Sequence, residues 1–180
     1  MKRIIALVLL LSTLLTMTAC DAETMKLLTD SIGALTKIAS KGNEYEYGDC
    51  TLVVRDTANL ISDSEEAALV SKLAPYCSRI KCDVLIMASN EIGLSSVSPG
   101  ASYANAYLPK GTEDWIAFSF DAARNCYYIW YDGDIVFNAL PDSKLDKALS
   151  LAAGPLNDDK YAEALEVMAE YCLKEIANSK

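Results

Sequence analysis

Two aspartates and one arginine are the residues of this sequence whose positions most directly indicate chemistry. Asp56 closes the apolar run that begins at Cys50, and Asp121 directly follows "WIAFSF", with Arg124 three residues later. If both runs are parallel strands, the two carboxylates lie at the carboxyl edge of one sheet, where open α/β sheets usually bind ligands. Paired carboxylates suit Ca²⁺, Mg²⁺ or Mn²⁺, and a guanidinium suits phosphate or carboxylate. We therefore predict Asp56 and Asp121 as ligands of a divalent cation, and Arg124 as the contact for an anionic ligand.

The same side chains also have a purely structural interpretation. Asp56 can serve as a turn or cap residue, and Asp121 can form an ion pair with Arg124 within a tight surface turn. Asp132 and Asp134, at the far end of the same hairpin, should face the opposite edge of the sheet, and we expect them to be solvated charges. The sequence alone leaves both interpretations of the first three residues open.

Histidine is absent from all 180 residues, which removes several classes of catalytic site. Ser–His–Asp triads, Cys–His pairs and HExxH zinc sites all need it. Acid–base chemistry would fall to carboxylates, Lys, Tyr, Cys or water. The formal charge of −9 would repel nucleic acid phosphates, so we expect no nucleic-acid partner.

The chain begins "MKRIIALVLLLSTLLTMTAC", with two basic residues, a short apolar run and small residues before Cys20. This pattern is typical of a secretory signal, and "MTAC" resembles the bacterial lipobox, with Met17 where Leu is usual. We predict a lipoprotein signal peptide over residues 1–19 and lipidation of Cys20. The protein would then be lipid-anchored at the extracytoplasmic face of a bacterial membrane. The alternative is a plain signal peptide in which Cys20 is incidental.

Residues 20–49 are predicted to hold the lipid anchor, a membrane-proximal helix and a linker. Apolar residues recur at helical spacing between Asp21 and Ser40, and "KGNEYEYGD" after them is polar with two glycines. Packing of that helix onto the domain as an ordinary element is the alternative. The domain itself is predicted over residues 50–180.

The domain is predicted to be an α/β fold, a three-layer α/β/α sandwich with a small mixed four-stranded sheet. The element order is strand, helix, strand, helix, strand, strand, helix, helix, and a helix between the first two strands favours parallel pairing. A capping box at Ser62 to Glu65 should open a helix that runs to about Cys77. Four apolar residues should share one face of this helix: Leu69, Val70, Leu73 and Cys77. Gly154 and Pro155 should stop the next-to-last helix, and the last should begin near Asp158.

Five cysteines remain after Cys20, so at most two disulfides form and one thiol stays free. The spacing does not fix their connectivity. "CSRIKC" places four residues between its cysteines, unlike the two of a typical redox motif, so we expect no redox function. The five are Cys50, Cys77, Cys82, Cys126 and Cys172.

Four motifs in order resemble the TPM domain family over about Leu52 to Ile176: "VVRDTANLIS", "YANAY", "FDAARNCYYIWYDGD" and "NDDKYAEAL". The sequence departs from the family pattern in "LPKGTEDW", in "DAA" before the arginine, and in the single Gly133 after the hairpin. The resemblance implies an α/β/α fold and a membrane-anchored bacterial protein. It further implies a site for a divalent cation such as Ca²⁺, which some members bind, or an activity like that of the thylakoid-lumen members described as acid phosphatases.

These observations favour a membrane-anchored module that binds a metal ion or a protein, with a membrane or envelope protein as the expected partner. The alternative is a phosphatase-like hydrolase assisted by a divalent metal. The lack of histidine, of a serine-nucleophile signature and of a P-loop favours the binding module. The aromatic residues Tyr127, Tyr128, Trp130 and Tyr131 either form a further binding face or pack beneath helices.

Overall fold

Five strands and five helices follow one another in the part of the chain that the computed structural model describes, residues 43–90 and 99–179. No helix within these ranges has both the length and the apolar character that a membrane span requires. In chain order the elements are β1 (Asn43–Tyr47), β2 (Cys50–Asp56), α1 (Asp63–Cys77), β3 (Asp83–Ser89), α2 (Pro99–Tyr107), β4 (Trp115–Asp121), β5 (Cys126–Asp132), α3 (Asp134–Ala139), α4 (Asp142–Asn157) and α5 (Tyr161–Asn178).

The strands form one mixed sheet in the order β1-β2-β3-β4-β5. The three central strands run parallel, while β1 and β5 pair antiparallel at the two edges. The central strands read as nearly continuous apolar runs because both faces of the sheet are covered. On the first face, α1 and α5 pack over a large core that includes Leu52, Ile86 and Phe118. On the second face, α2 packs over a smaller core that includes Leu85 and Ala117.

The predicted α/β class is confirmed, but the predicted count of four strands is wrong because β1 is a fifth. This strand lies inside the segment 41–49 that the sequence indicated as linker. Its glutamates alternate with Tyr45 and Tyr47, whose rings pack against the first-face core. Gly48, with φ of 68°, and Asp49 form the two-residue connection to β2, and glycine adopts this backbone conformation without steric cost. The sheet therefore begins by Asn43 rather than at Cys50, while the predicted helix and signal segments before it lie outside the described residues.

Helix α1 begins and ends where the sequence predicts. The Ser62 side chain accepts a hydrogen bond from the Glu65 N–H at 3.3 Å, and the Ser62 N–H donates to the Glu65 carboxylate at 2.8 Å. These reciprocal bonds satisfy N–H groups that a first helical turn leaves unpaired. The predicted inward face is confirmed, since its four residues are buried: Leu69, Val70, Leu73 and Cys77.

The predicted helix stop at Gly154 and Pro155 is wrong, because α4 continues through both residues to Asn157. Pro155 stands in the last turn, where its missing N–H removes only one main-chain hydrogen bond. The chain then turns at Asp159, whose φ is 57°, and α5 begins at Tyr161.

The short helix α3 was not predicted, and it depends on a close approach at Gly133. Gly133 has φ of 92°, and a Cβ there would lie 2.7 Å from the Asp114 Cα. The Asp114 carboxylate accepts a hydrogen bond from the Ile135 N–H at 2.8 Å. Only glycine fits both the conformation and the space, so the chain can turn here from β5 into α3.

Candidate functional site

The carboxyl edge of the sheet is formed by the ends of β2, β3 and β4, which run parallel. Asp56 is the last residue of β2 and Asp121 the last residue of β4, with β3 between them. The prediction that both carboxylates lie at this edge is confirmed.

The two carboxylates nevertheless belong to opposite faces of the sheet. The strand register pairs Asp56 with Ala88, and Ala88 in turn with Phe120 of β4. Asp121 comes one residue after Phe120 and pairs with Ser89. Because side chains alternate along a strand, Asp56 shares the first face with Phe120, and Asp121 shares the second face with Ser119. Two strand spacings also separate their backbones by about 10 Å. The structure therefore does not bring the two predicted metal ligands together on one face.

The carboxylate of Asp56 is fixed through one oxygen only. Its Oδ2 accepts a hydrogen bond from the Ile61 N–H at 2.7 Å, which closes the turn after β2. Its Oδ1 is buried and has no hydrogen-bond partner among residues 43–90 and 99–179. Buried polar atoms in native proteins nearly always have a partner, which can be a water or an ion. Asp56 thus presents an oriented acceptor at the edge where the sequence predicts a cation.

Asp121 uses both of its oxygens within the hairpin turn. Oδ1 accepts hydrogen bonds from the Ala123 N–H at 3.0 Å and the Arg124 N–H at 3.2 Å. Oδ2 accepts from the Arg124 guanidinium at 2.5 Å. The Asp121 side chain is wholly buried, while that of Arg124 is 45% exposed. The hydrogen bond and the attraction of the carboxylate raise the pKa of Arg124. The structure thus shows the ion pair of the structural interpretation, with Asp121 also capping the turn.

Asp132 and Asp134 lie at the opposite edge of the sheet, as predicted, and both are exposed. Asp132 accepts a hydrogen bond from the neighbouring Gly133 N–H at 2.9 Å. The interpretation of these two residues as solvated charges is confirmed.

The aromatic residues of β5 do not form one face. Tyr127 and Tyr131 pack against the first-face core, whereas Tyr128 and Trp130 pack against the second-face core. The Tyr127 hydroxyl is buried and has no hydrogen-bond partner in the part of the chain that the structure describes, and burial raises the pKa of Tyr127. Side chains alternate between the two faces along a strand, so the sequence positions already assign Tyr127 and Tyr131 to one face and Tyr128 and Trp130 to the other.

The second face carries a continuous aromatic stack that the sequence did not reveal. The Tyr103 ring lies 6.0 Å from the Trp130 ring and 6.4 Å from the Tyr107 ring, and the Trp130 and Tyr128 rings are 5.2 Å apart between centroids. The Arg55 guanidinium carbon lies 5.4 Å from the centroid of the Tyr107 ring, within the range of a cation–π contact. The sequence shows the four-residue spacing of the two α2 tyrosines but not their meeting with β5.

A metal centre built from several side chains is not seen among residues 43–90 and 99–179. No group of three His, Cys, Asp or Glu side chains there could hold a metal ion together. A cation at Asp56 would complete its coordination with main-chain oxygens and water, which Ca²⁺ and Mg²⁺ accept readily. The Ser119 hydroxyl is wholly buried on the second face and has no hydrogen-bond partner among the described residues.

No protein-family model and no curated protein matches this chain. Solved bacterial structures do match it. The NMR structure of the BA42 protein from Bizionia argentinensis has a TM-score of 0.52 and 13% identity, covering 67% of this chain and 84% of that chain. An N-terminal domain from P. gingivalis has a TM-score of 0.59 and 16% identity, covering 70% and 82%. The N-terminal domain of the cg2496 protein from Corynebacterium glutamicum has a TM-score of 0.52 and 16% identity, covering 71% and 82%. At these identities the likeness shows a shared fold.

Proposed function

We propose that this chain is a TPM-like lipoprotein, anchored through Cys20 to the extracytoplasmic face of a bacterial membrane, and that its domain is a binding module for a divalent cation. The observation that carries the cation proposal is the buried, unpartnered Oδ1 of Asp56 at the carboxyl edge of the sheet. The four TPM-like motifs and the lipobox-like start support the rest of the proposal.

The energetics of Asp56 favour an ion at this position. A buried acceptor without a partner costs about 1–3 kcal/mol, and more when it is charged. The Ile61 N–H fixes the carboxylate through its other oxygen, so Oδ1 needs little reorganisation to bind a cation. A cation such as Ca²⁺, Mg²⁺ or Mn²⁺ would remove the cost and add a direct electrostatic attraction. Asp121 as a second ligand stays a prediction: its side chain belongs to the other face of the sheet, and both of its oxygens accept hydrogen bonds in the turn.

The hydrolase alternative is less well supported by the geometry. It needs a metal and the Arg124 guanidinium aimed at the same phosphoester. Arg124 is held by Asp121, whose side chain belongs to the second face, while the open oxygen of Asp56 belongs to the first. A binding module needs only the oxygen of Asp56.

Thermal unfolding of the purified domain in chelator, and then in millimolar Ca²⁺, Mg²⁺ or Mn²⁺, tests the cation proposal. A cation at ten times its Kd stabilises the folded state by about 1.4 kcal/mol, which raises Tm by roughly 4–6 °C in a domain of this size. Asp56→Asn keeps the size of the side chain and an acceptor for Ile61 but removes the charge, so it should abolish the rise. Asp132→Asn, at an exposed carboxylate of the opposite edge, is the matched control and should keep it. An equal rise in Tm in the wild type and in Asp56→Asn would refute the cation site at Asp56.

A further inference from the structure

Three cysteines converge at the amino edge of the sheet, opposite to the candidate cation site. Cys50 is the first residue of β2, and Cys82 immediately precedes β3. The parallel register pairs Leu52 with Val84, so the same offset places Cys50 beside Cys82 on the first face. Cys77 is the last residue of α1, the helix that connects these two strands.

The three thiols lie inside the first-face core. Their residues are 1%, 0% and 2% exposed for Cys50, Cys77 and Cys82. The interaction with the Cys77 side chain and burial raise the pKa of Cys50, and both residues belong to the first-face core. The remaining cysteines lie on other elements. Cys126 is exposed at the start of β5, and Cys172 is buried in α5.

We propose that Cys50 and Cys77 form a disulfide when the chain folds in an oxidising compartment, and that Cys82 remains a thiol beside it. All three are reduced in the structure. The oxidant is an external disulfide, either small or carried by a protein. The thiolate of one cysteine attacks it and releases one external thiol. The second cysteine then attacks the mixed disulfide and releases the other, so two protein thiols are oxidised while one external disulfide is reduced to two thiols.

Cys77 is a better partner for Cys50 than Cys82 is. Residues side by side on parallel strands direct their Cα–Cβ bonds the same way, whereas a disulfide needs two Cβ atoms that approach each other. Cys77 ends the helix that packs over β2, and it belongs to the same first-face core as Cys50, so the two side chains approach the core from opposite layers.

Burial determines when the bond forms. Only the thiolate reacts. The interaction with Cys77 and burial raise the pKa of Cys50, and burial raises the pKa of Cys82 to about 12. Thiolates are therefore scarce in the folded state, and reagents reach these positions poorly. The disulfide should form while the chain folds, before α1 closes over β2, and should resist reduction afterwards.

Non-reducing peptide mapping of the full chain, exported with its own leader in a bacterium with an oxidising envelope, tests the assignment without a variant. Free thiols are blocked in denaturant during extraction, before tryptic digestion, so that buried thiols also react. Trypsin places the three cysteines on different peptides, residues 42–55, 73–79 and 82–110. We expect 42–55 linked to 73–79, and 82–110 carrying the blocking group. Refolding the reduced chain with oxidised glutathione should give the same link.

Two variants sharpen the result. Cys77→Ala should remove the link, and Cys172→Ala, another buried cysteine of the same core, should leave it intact. The oxidised wild type should unfold at a higher urea concentration than the reduced wild type, a difference that Cys77→Ala should lose. A link between 42–55 and 82–110, or all three peptides blocked after both export and refolding, would overturn the proposal.

Discussion

Replacing Asp121 separates its role in the hairpin turn from a role as metal ligand. The carboxylate accepts three hydrogen bonds, two from main-chain N–H groups and one from Arg124, and is itself wholly buried. A hydrogen bond to a charged group contributes about 1.5–3 kcal/mol. The loss of stability should be smaller than the sum of three such bonds. Ala123 and Arg124 are exposed, so their N–H groups can bond to water in the variant. We therefore expect Asp121→Ala to lower the free energy of unfolding by about 2–4 kcal/mol.

Asp121→Asn should lose about half as much, since its amide oxygen still accepts the main-chain bonds of the turn. The assay is urea unfolding followed by tryptophan fluorescence, in chelator so that no cation contributes. Asp132→Ala, at an exposed carboxylate of the same hairpin, should change stability by less than about 0.5 kcal/mol. If Asp121→Ala costs under about 1 kcal/mol in chelator but abolishes the cation-dependent rise in Tm, Asp121 is a metal ligand and the assignment to the turn is wrong.

Three further changes have definite expected outcomes. Gly133→Ala puts a methyl group against Asp114 at a positive φ, and we expect a loss of about 2–4 kcal/mol in urea unfolding; an unchanged midpoint would contradict the close approach. The hydrogen bonds from Ser62 lower the pKa of Glu65 from its usual value of 4.5. These bonds therefore stabilise the folded state above that pH, and the stabilisation is lost as the pH falls through the lower pKa of the folded state. The stability gap between the wild type and Glu65→Ala should therefore narrow between about pH 7 and about pH 3, and a constant gap would exclude this linkage. Cys20→Ser should move the protein from the membrane fraction to the soluble envelope fraction, and equal membrane association of variant and wild type would contradict lipidation.

Local sequence signals predicted α1 correctly but not the end of α4, which continues through the stop signal at Gly154 and Pro155. The capping box at Ser62 and the apolar face that ends at Cys77 depend on residues within one helix, and both were placed correctly. The edge strand β1 was missed because an exposed edge needs few apolar residues, and its alternating glutamates made the segment resemble a linker.

The candidate site was predictable to the level of the sheet edge but not of the sheet face. Parallel strands bring Asp56 and Asp121 to one edge whatever their alignment. Which face each carboxylate occupies depends on the register across β3, and a shift of one residue would reverse it. That register is set by long-range packing, which a local pattern does not encode. The partner of Asp121 was predictable, since Arg124 is only three residues away.

The antiparallel β1 determines where the chain enters the domain. Asn43 pairs with Val54, so the polypeptide arrives at the same edge of the sheet as Asp56. Under the proposed anchoring, the 23 residues from 20 to 42 limit the distance between the lipid and β1 to at most about 80 Å. Divalent cations concentrate within about 10 Å of an anionic lipid surface and fall to their bulk level beyond it. Under that proposal, the lipid charge and the distance of Asp56 from the lipid surface together set the cation concentration at the site.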